Sequence, residues 1–291
     1  SSMSTPDKCV PQAGGVSRTF VQDLVVLEYD SIKSLEWIDE HADQIAGVYC
    51  EPIQNRNPRV VPKAFLLKLR ELTSARGIVL VFDEIVTGFR IRAGGVQEHL
   101  GIRADLVSYG KALGGGWPVG ALAGKAEVMS GVDGGVWQYG DTSAPKGLRT
   151  FFAGTTCKHP LVMAAVVAVL DRIIAHGDAM YTTLNSRISR LADTVNAWWA
   201  ARDIALRLDH YGSQFRFIVP PEVAMAFYQT LNLNGVYTWE SRTCFFQTTH
   251  TEEDVDRIID AVKRTTLTLL EAKVALPSAK RSDPPPVGKS E

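Results

Sequence analysis

The sequence lacks the features that mark several common functional classes. Its 31 basic and 32 acidic side chains nearly cancel, whereas proteins that bind nucleic acid or membrane surfaces usually carry a clear basic excess. Its four cysteines are far apart and show no metal-ligand spacing: Cys9, Cys50, Cys157 and Cys244. We therefore expect no nucleic-acid partner, no metal site and a reduced, cytoplasmic setting.

Long hydrophobic runs are also scarce. The longest run, residues 160–170, is shorter than the roughly 18 residues that a membrane-spanning helix needs, and Asp171 and Arg172 follow it. The chain opens Ser1-Ser2-Met3-Ser4, which has none of the charged and apolar regions of a signal peptide. These observations predict a protein without a membrane span.

The first half of the chain alternates between short apolar runs and helical patterns. Residues 78–82 are five apolar residues in succession, and a strand that is apolar on both faces is typical of a parallel sheet covered by helices. Further strands are predicted at residues 45–50, 104–109 and 119–123, and a helix at residues 62–76. The alternation predicts an α/β fold.

The second half has a different pattern. Residues 161–176 predict an apolar helix ending at Gly177, and residues 178–201 an amphipathic one. Thr251 is followed by three acidic residues, as in a capping box, and predicts a helix that runs to about Lys273. Short strands are predicted at residues 204–210, 214–219 and 243–248. These elements predict a smaller α+β domain.

The patterns divide the chain into four predicted segments. An irregular N-terminal segment (1–20) precedes a larger α/β domain (21–156) and the smaller domain (157–275). Residues 276–291 include three consecutive prolines among small and charged residues, a composition that cannot bury enough apolar surface to fold. We interpret this last segment as a linker or tail.

Two charged residues follow predicted strands, Asp83 directly and Lys111 after one glycine. Asp83 ends the apolar run 78–82, and Lys111 follows the strand at 104–109. Ligands of doubly wound sheets bind at the carboxyl ends of strands. A lysine there forms a Schiff base with an aldehyde, and a carboxylate keeps a pyridine nitrogen protonated. The alternative is that Lys111 is a solvated surface charge and Asp83 a turn residue.

Glycine and threonine clusters predict close approach to a ligand. Residues 114–116 are all glycine, which lets the backbone approach a ligand or another subunit. Gly154-Thr155-Thr156 precedes Pro160, a first helical residue, and a helix N-terminus favours an anion such as phosphate. The alternative is that Thr155 or Thr156 only caps the helix. No P-loop, G-x-G-x-x-G, H-E-x-x-H or G-x-S-x-G motif is present.

Several motifs, in order, resemble those of class III pyridoxal-phosphate aminotransferases. Residues 81–90 (VFDEIVTGFR) resemble the family's FDE-x-x-TGFR segment, and residues 104–121 its lysine signature. Residues 51–54 resemble its EPxx turn, residues 154–161 its GT…NPL segment and residues 248–251 its TAHT segment. The resemblance implies the type I fold of pyridoxal-phosphate enzymes, with a mostly parallel sheet and a smaller C-terminal α+β domain.

Within this family, the chain resembles the glutamate-1-semialdehyde aminomutase-like group. Residues 134–141 (GGVWQYGD) and 151–160 (FFAGTTCKHP) look like aminotransferase domains embedded in hybrid polyketide/nonribosomal peptide synthetases. Such domains aminate a β-keto acyl chain held on a carrier protein, with an amino acid such as glutamate or glutamine as donor. The Cys157-Lys158-His159 sequence favours this branch over the aminomutase itself.

The resemblance assigns roles to individual residues. Lys111 would form the Schiff base with pyridoxal 5'-phosphate and carry the proton, and Asp83 would pair with the pyridine nitrogen. Val86 would lie against the ring, without the hydrogen bond to the ring hydroxyl that other family members make. Thr155 would contact the phosphate of the neighbouring subunit's cofactor, which implies a homodimer with shared active sites.

Two further residues are candidates for substrate binding. Glu51 lies in the family's active-site turn, and Arg242 would clamp the donor carboxylate, since a guanidinium fork suits that group. Arg242 is our inference from its chemistry, because the aminomutase pattern has no basic residue there.

The leading hypothesis is a pyridoxal-phosphate-dependent aminotransferase that acts on a carrier-bound keto acyl group. A glutamate-1-semialdehyde aminomutase, or a transaminase of a free small molecule, is the second. The third is a catalytically incomplete fragment with a structural or dimerising role, because nothing before Glu51 resembles the family's phosphate-binding G-S/T-E-A turn. We accordingly expect the fold to be incomplete at its N-terminus.

Overall fold

The computed structural model of the protein describes residues 9–11, 13–145 and 149–278. They form two compact units. One comprises the residues up to Val48 together with Pro62–Leu80, and the other comprises Tyr49–Val61 and the residues from Val81 onward. Most of the predicted tail lies outside the described residues, and the predicted domain boundaries stay a prediction.

The first unit contains two α-helices, α1 (Ile32–Glu40) and α2 (Lys63–Arg76), and two short 3-10 helices, Arg18–Phe20 and Ala42–Gln44. The predicted helix at 62–76 is therefore present as α2, which buries Leu66 and Leu69. It ends at Gly77, whose φ of 68° is in the left-handed region, where glycine is favoured.

The larger sheet has the strand order β1-β2-β3-β4. Its strands are β1 (Gly47–Cys50), β2 (Val79–Asp83), β3 (Leu106–Gly110) and β4 (Gly120–Gly124). β2 and β3 are parallel, with Asp83 opposite Ser108, whereas β3 and β4 are antiparallel. The sheet is therefore mixed, because the short segment between β3 and β4 cannot form the crossover that a parallel pair requires.

Helix α3 (Gly95–Leu100) lies between β2 and β3 in the chain, α4 (Ala126–Asp133) follows β4, and α5 (Pro160–Ala200) comes next. α5 contains the predicted break: Gly177 has non-helical angles, φ 51° and ψ −147°. One 18-residue stretch of α5 has a mean hydropathy of 1.6 and is only 11% buried. By length and composition α5 is long and apolar enough to cross a membrane, as core helices of soluble proteins also are. The absence of a membrane span stays a prediction.

The C-terminal elements build a second sheet and a hydrophobic core. Antiparallel strands β5 (Arg207–Tyr211), β6 (Gln214–Ile218) and β7 (Cys244–Phe245) lie in that order. They pack with α6 (Pro221–Leu233), α7 (Glu252–Glu271) and the C-terminal half of α5 around the buried side chains of Trp199 and Phe227. The predicted strand at 243–248 is shortened to two residues, and the predicted capping box at Thr251 is confirmed.

Candidate active site

The carboxyl ends of β2 and β3 bring two predicted site residues to one sheet edge. Asp83 is the last residue of β2, and Lys111 directly follows β3. Because these strands are parallel neighbours, both ends lie at the same edge, where ligands of α/β sheets bind. Lys111 begins the 3-10 helix Lys111–Gly114 with a φ of 43°. Its side chain is exposed, so the described residues do not enclose it in an apolar pocket.

The Asp83 carboxylate is held on both oxygens. Its Oδ1 accepts hydrogen bonds from the Ile85 backbone N–H at 2.9 Å and from the Ser108 hydroxyl at 3.4 Å. Its Oδ2 accepts from the Tyr49 hydroxyl at 2.5 Å. Loss of solvation and this carboxylate raise the pKa of Tyr49 to about 12. The phenol therefore keeps its proton at neutral pH and orients Asp83.

A second carboxylate, next in sequence, fixes the loop after β2. Glu84 is fully buried and accepts hydrogen bonds from the backbone N–H groups of Val96 (2.7 Å) and Gln97 (3.1 Å) and from the Thr87 hydroxyl (3.2 Å). Burial raises the pKa of Glu84 despite these donors. A side chain at Gly95 would come within 2.3 Å of the Glu84 carboxylate, so glycine is required there.

Val86 and Thr155 are not joined to this carboxylate network. Val86 is half-buried in the turn after β2, and Thr155 is exposed in a turn that precedes α5. The N-cap of α5 is His159, and it makes no side-chain capping bond. The alternative that Thr155 or Thr156 caps this helix is therefore wrong. Among the described residues, no hydrogen bond connects Thr155 to Asp83 or Lys111.

Glu51 organises the turn that follows β1. Its carboxylate accepts hydrogen bonds from the backbone N–H of Asn55 at 2.6 Å and from the Asn55 side-chain amide at 2.9 and 3.0 Å. The Asn55 carbonyl in turn accepts from the Thr243 hydroxyl at 2.8 Å. The turn is therefore tied to the segment that carries Arg242.

A cavity of about 420 Å³ lies beside this turn. Arg242 lines it, with its guanidinium 4.9 Å from the centre of the Trp239 ring. Arg216 also lines it and donates to the Arg56 carbonyl at 2.9 Å. The fold thus brings Glu51 and Arg242, which are distant in sequence, to one turn and its cavity.

Sequence reasoning missed three contributors to these arrangements. Tyr49 lies in β1, two residues before Glu51. Ser108 is a hydroxyl in an otherwise apolar strand, opposite Asp83. Arg216 is a charged residue in the strand QFRFI. The strand periodicity and these isolated polar residues are the signals that would have pointed to them.

Comparison with known proteins gives consistent relationships. The model of the family Aminotransferase class-III matches residues 12–210. A glutamate-1-semialdehyde 2,1-aminomutase from Alkaliphilus oremlandii is 32% identical over 268 residues, which cover 87% of this chain and 60% of the relative. An omega-transaminase from Sphaerobacter thermophilus superimposes with a TM-score of 0.76 at 28% identity, covering 88% of this chain and 60% of that one.

A transaminase solved with PLP bound has the same fold, with a TM-score of 0.79 at 24% identity, covering 90% of this chain and 62% of that one. The chain spans about three fifths of the length of the relatives it matches. The family model covers more than half of the chain. The chain therefore belongs to the class-III aminotransferase family, which implies pyridoxal 5'-phosphate as cofactor.

Proposed function

We propose that this protein is a pyridoxal-phosphate-dependent aminotransferase, which moves an amino group from an amino acid donor to a keto acceptor. The observation that carries the proposal is the placement of Asp83 and Lys111 at the carboxyl ends of neighbouring parallel strands. A carboxylate and a primary amine delivered to one sheet edge are the two groups that this chemistry requires.

The residues at this edge fit the cofactor. The Asp83 carboxylate is oriented by donors on both oxygens, and an oriented carboxylate accepts a hydrogen bond from a protonated pyridine nitrogen. In the described part of the chain, the Lys111 amine makes no ion pair that would compete with an aldehyde. When bound, the cofactor supplies a ring that delocalises the electron pair released at the substrate carbon.

The chain's own residues would then have separate roles in binding the cofactor and in moving protons. Asp83 would hold the proton on the ring nitrogen, and Tyr49 and Ser108 would keep its carboxylate in place. Lys111 would bind the aldehyde and move a proton to and from the substrate carbon. Val86 would contact the ring without a hydrogen bond to its hydroxyl.

For the substrates, we propose glutamate or glutamine as donor and a β-keto acyl group on an acyl carrier protein as acceptor. The resemblance of residues 134–141 and 151–160 to synthetase-embedded domains supports the acceptor. A carboxylate-bearing donor is supported by Arg242, which lines the cavity beside the Glu51 turn. Glutamate-1-semialdehyde, or another free keto compound, is the competing substrate, because the relative from Alkaliphilus oremlandii is named as that aminomutase.

We also propose that the protein acts as a homodimer in the cytoplasm. The N-terminal half of α5 exposes Leu161, Val167 and Ile174, and the preceding segment exposes Phe151 and Phe152. Large apolar patches of this kind mark interaction surfaces. Thr155 is exposed between Phe152 and Leu161 in the sequence, and it would donate to the phosphate bound by a second copy.

The test of the proposal is cofactor binding at Lys111. Pyridoxal phosphate added to the wild-type chain should give the near-visible absorbance band of a lysine-bound cofactor, and borohydride reduction followed by peptide mass spectrometry should locate the adduct at Lys111. Lys111→Ala should abolish both signals. Lys125→Ala is the matched control, because Lys125 also follows a strand of this sheet but is paired with Asp105 at 2.7 Å.

Retention of the band in Lys111→Ala would contradict the proposal. Absence of the band from the wild-type chain would instead favour the hypothesis of an incomplete fragment with a structural or dimerising role. Amination of a keto acyl group loaded on a carrier protein, compared with amination of the free keto acid, separates the two substrate classes.

A further inference from the structure

We infer that the cavity beside the Glu51–Asn55 turn is a binding site for a doubly charged anion, such as a dicarboxylate or a phosphate group, carried by a substrate. This inference extends the proposed function. It rests on that function in taking the bound anion to be part of a substrate. The cavity has a volume of about 420 Å³, which is within the range of small-molecule pockets.

The charges that line the cavity are unbalanced. Arg56, Arg216 and Arg242 contribute three guanidinium groups, and Glu240 contributes one carboxylate, so the lining carries an excess of two positive charges. Within the described residues, no carboxylate pairs with any of these three arginines. By contrast, Arg190 elsewhere in the chain is paired with Asp256 at 2.8 Å. The cavity therefore has the charge of a site that is completed by an anion.

One of the arginines has a buried donor without an acceptor. The Nε atom of Arg216 is buried and makes no hydrogen bond among the described residues, although its Nη1 atom donates to the Arg56 carbonyl at 2.9 Å. A buried charged donor without an acceptor costs free energy. Arg216, which lines the cavity, is therefore left incompletely satisfied by the described residues.

The walls of the cavity are held in place before any ligand binds. The Arg242 guanidinium lies over the Trp239 ring at 4.9 Å, Arg216 extends from β6, and the Thr243 hydroxyl donates to the Asn55 carbonyl at 2.8 Å. A preorganised guanidinium loses little conformational entropy on binding and suits the planar fork of carboxylate and phosphate oxygens.

The turn beside the cavity also relates it to the sheet edge. Asn55 lines the cavity and is held by Glu51, and Tyr49, two residues earlier, donates to Asp83. An anionic group in the cavity would therefore belong to a molecule that extends towards the reacting centre. The positive charge of the cavity lining suits two ligands. One is the free amino acid donor, as a dicarboxylate, and the other is the phosphate of a carrier protein's pantetheine arm.

Trp239 provides a direct readout of binding in the chain without cofactor. Tryptophan fluorescence would be titrated with glutarate, with inorganic phosphate and with neutral glutaramide. We expect a saturable change with at least one of the two anions and none with glutaramide. Trp239→Phe should remove the signal, and Arg216→Gln and Arg242→Gln should each weaken the anion affinity by about tenfold, the loss of one charged hydrogen bond.

The controls separate this site from general charge effects. Arg190→Gln removes an arginine outside the cavity and should leave the affinity unchanged, as should Lys125→Ala, which removes a lysine outside the cavity. Circular dichroism would check the fold of each variant, and the exposed Arg242 carries the test if Arg216→Gln does not fold. Binding of glutarate alone would indicate the donor, and binding of phosphate alone the carrier arm.

The inference is overturned if neither anion gives a saturable change, if glutaramide gives the same change, or if the arginine variants bind as the wild type does. None of these outcomes depends on the cofactor band at Lys111, so failure of the proposed aminotransferase activity and failure of this site are distinguishable.

Discussion

Removing the Glu84 carboxylate should destabilise the loop that connects the sheet edge to α3. This side chain is fully buried and accepts two backbone N–H groups at the start of α3 and one hydroxyl. In Glu84→Ala these donors lose their acceptor, and the buried position leaves little room for water to replace it. The substitution therefore leaves two backbone N–H groups in the first turn of α3 without a hydrogen-bond acceptor.

The expected magnitude follows from the number of donors and from the cost of burial. Each buried N–H group left without a partner costs about 1–3 kcal/mol, so Val96 and Gln97 together set a gross cost of about 2–6 kcal/mol. Part of this is offset, because burial of the charged carboxylate is itself unfavourable and raises the pKa of Glu84. We expect a net loss of about 3 kcal/mol in the free energy of unfolding.

Urea denaturation followed by circular dichroism measures this loss. Glu98→Ala is the matched control, because the Glu98 carboxylate also accepts a backbone N–H, that of Gly94 at 2.7 Å, but is exposed. The control should cost less than about 1 kcal/mol. If Glu84→Ala is no more destabilising than Glu98→Ala, the buried carboxylate does not hold the loop and the reasoning fails.

The raised pKa of Glu84 also gives the sign of a pH dependence. Because this carboxyl binds its proton more tightly in the folded than in the unfolded chain, its protonation stabilises the fold below the ordinary carboxyl pKa. That contribution is lost as the pH rises through the folded pKa. Glu84→Gln cannot titrate, so this component should disappear from its stability profile between acidic and neutral pH, whereas an unchanged profile would show that another group is responsible.

Two further predictions concern Tyr49 and Gly177. Tyr49→Phe should remove a phenol titration with a pKa of about 12 from the alkaline ultraviolet spectrum. It should also weaken pyridoxal phosphate binding by about tenfold or more, because Asp83 loses a charged hydrogen bond worth about 1.5–3 kcal/mol; unchanged cofactor affinity would contradict its positioning role. Gly177→Ala should cost about 1–3 kcal/mol in urea denaturation through backbone strain alone, since nothing lies within 4 Å of the added carbon. Gly131→Ala, in α4 and also free of neighbours within 4 Å, should instead be neutral or stabilising.

Local signals in the sequence were sufficient for most of the elements. The apolar run at 78–82 predicts β2 because five consecutive apolar residues suit a strand that is covered on both faces. The capping box at Thr251 predicts the start of α7 because its donors and acceptors are all within one turn. Gly177 likewise predicts a break that the structure places within α5. In each case the residues that decide the structure are close together in sequence.

Contacts between distant residues could not be derived in this way. The antiparallel direction of β4 depends on the short connection after β3, which the apolar pattern does not reveal. The Tyr49–Asp83 hydrogen bond joins two strands, and the arginine cavity combines residues from the β1 turn, β6 and the segment before β7. The catalytic and binding roles of Lys111, Asp83, Val86, Thr155, Glu51 and Arg242 remain predictions.

The end of β1 connects the Asp83 carboxylate at the sheet edge with the arginine cavity, and the proposals above rest on these two features. Tyr49, in β1, donates to Asp83, whereas Glu51, directly after the strand, holds Asn55 beside the arginine cavity. Glu51→Ala should therefore release the turn and weaken anion binding in the fluorescence titration while the Tyr49 hydroxyl still holds Asp83. If Glu51→Ala instead leaves anion affinity unchanged and reduces cofactor affinity, Glu51 acts on the cofactor side of the strand and not as the support of the cavity.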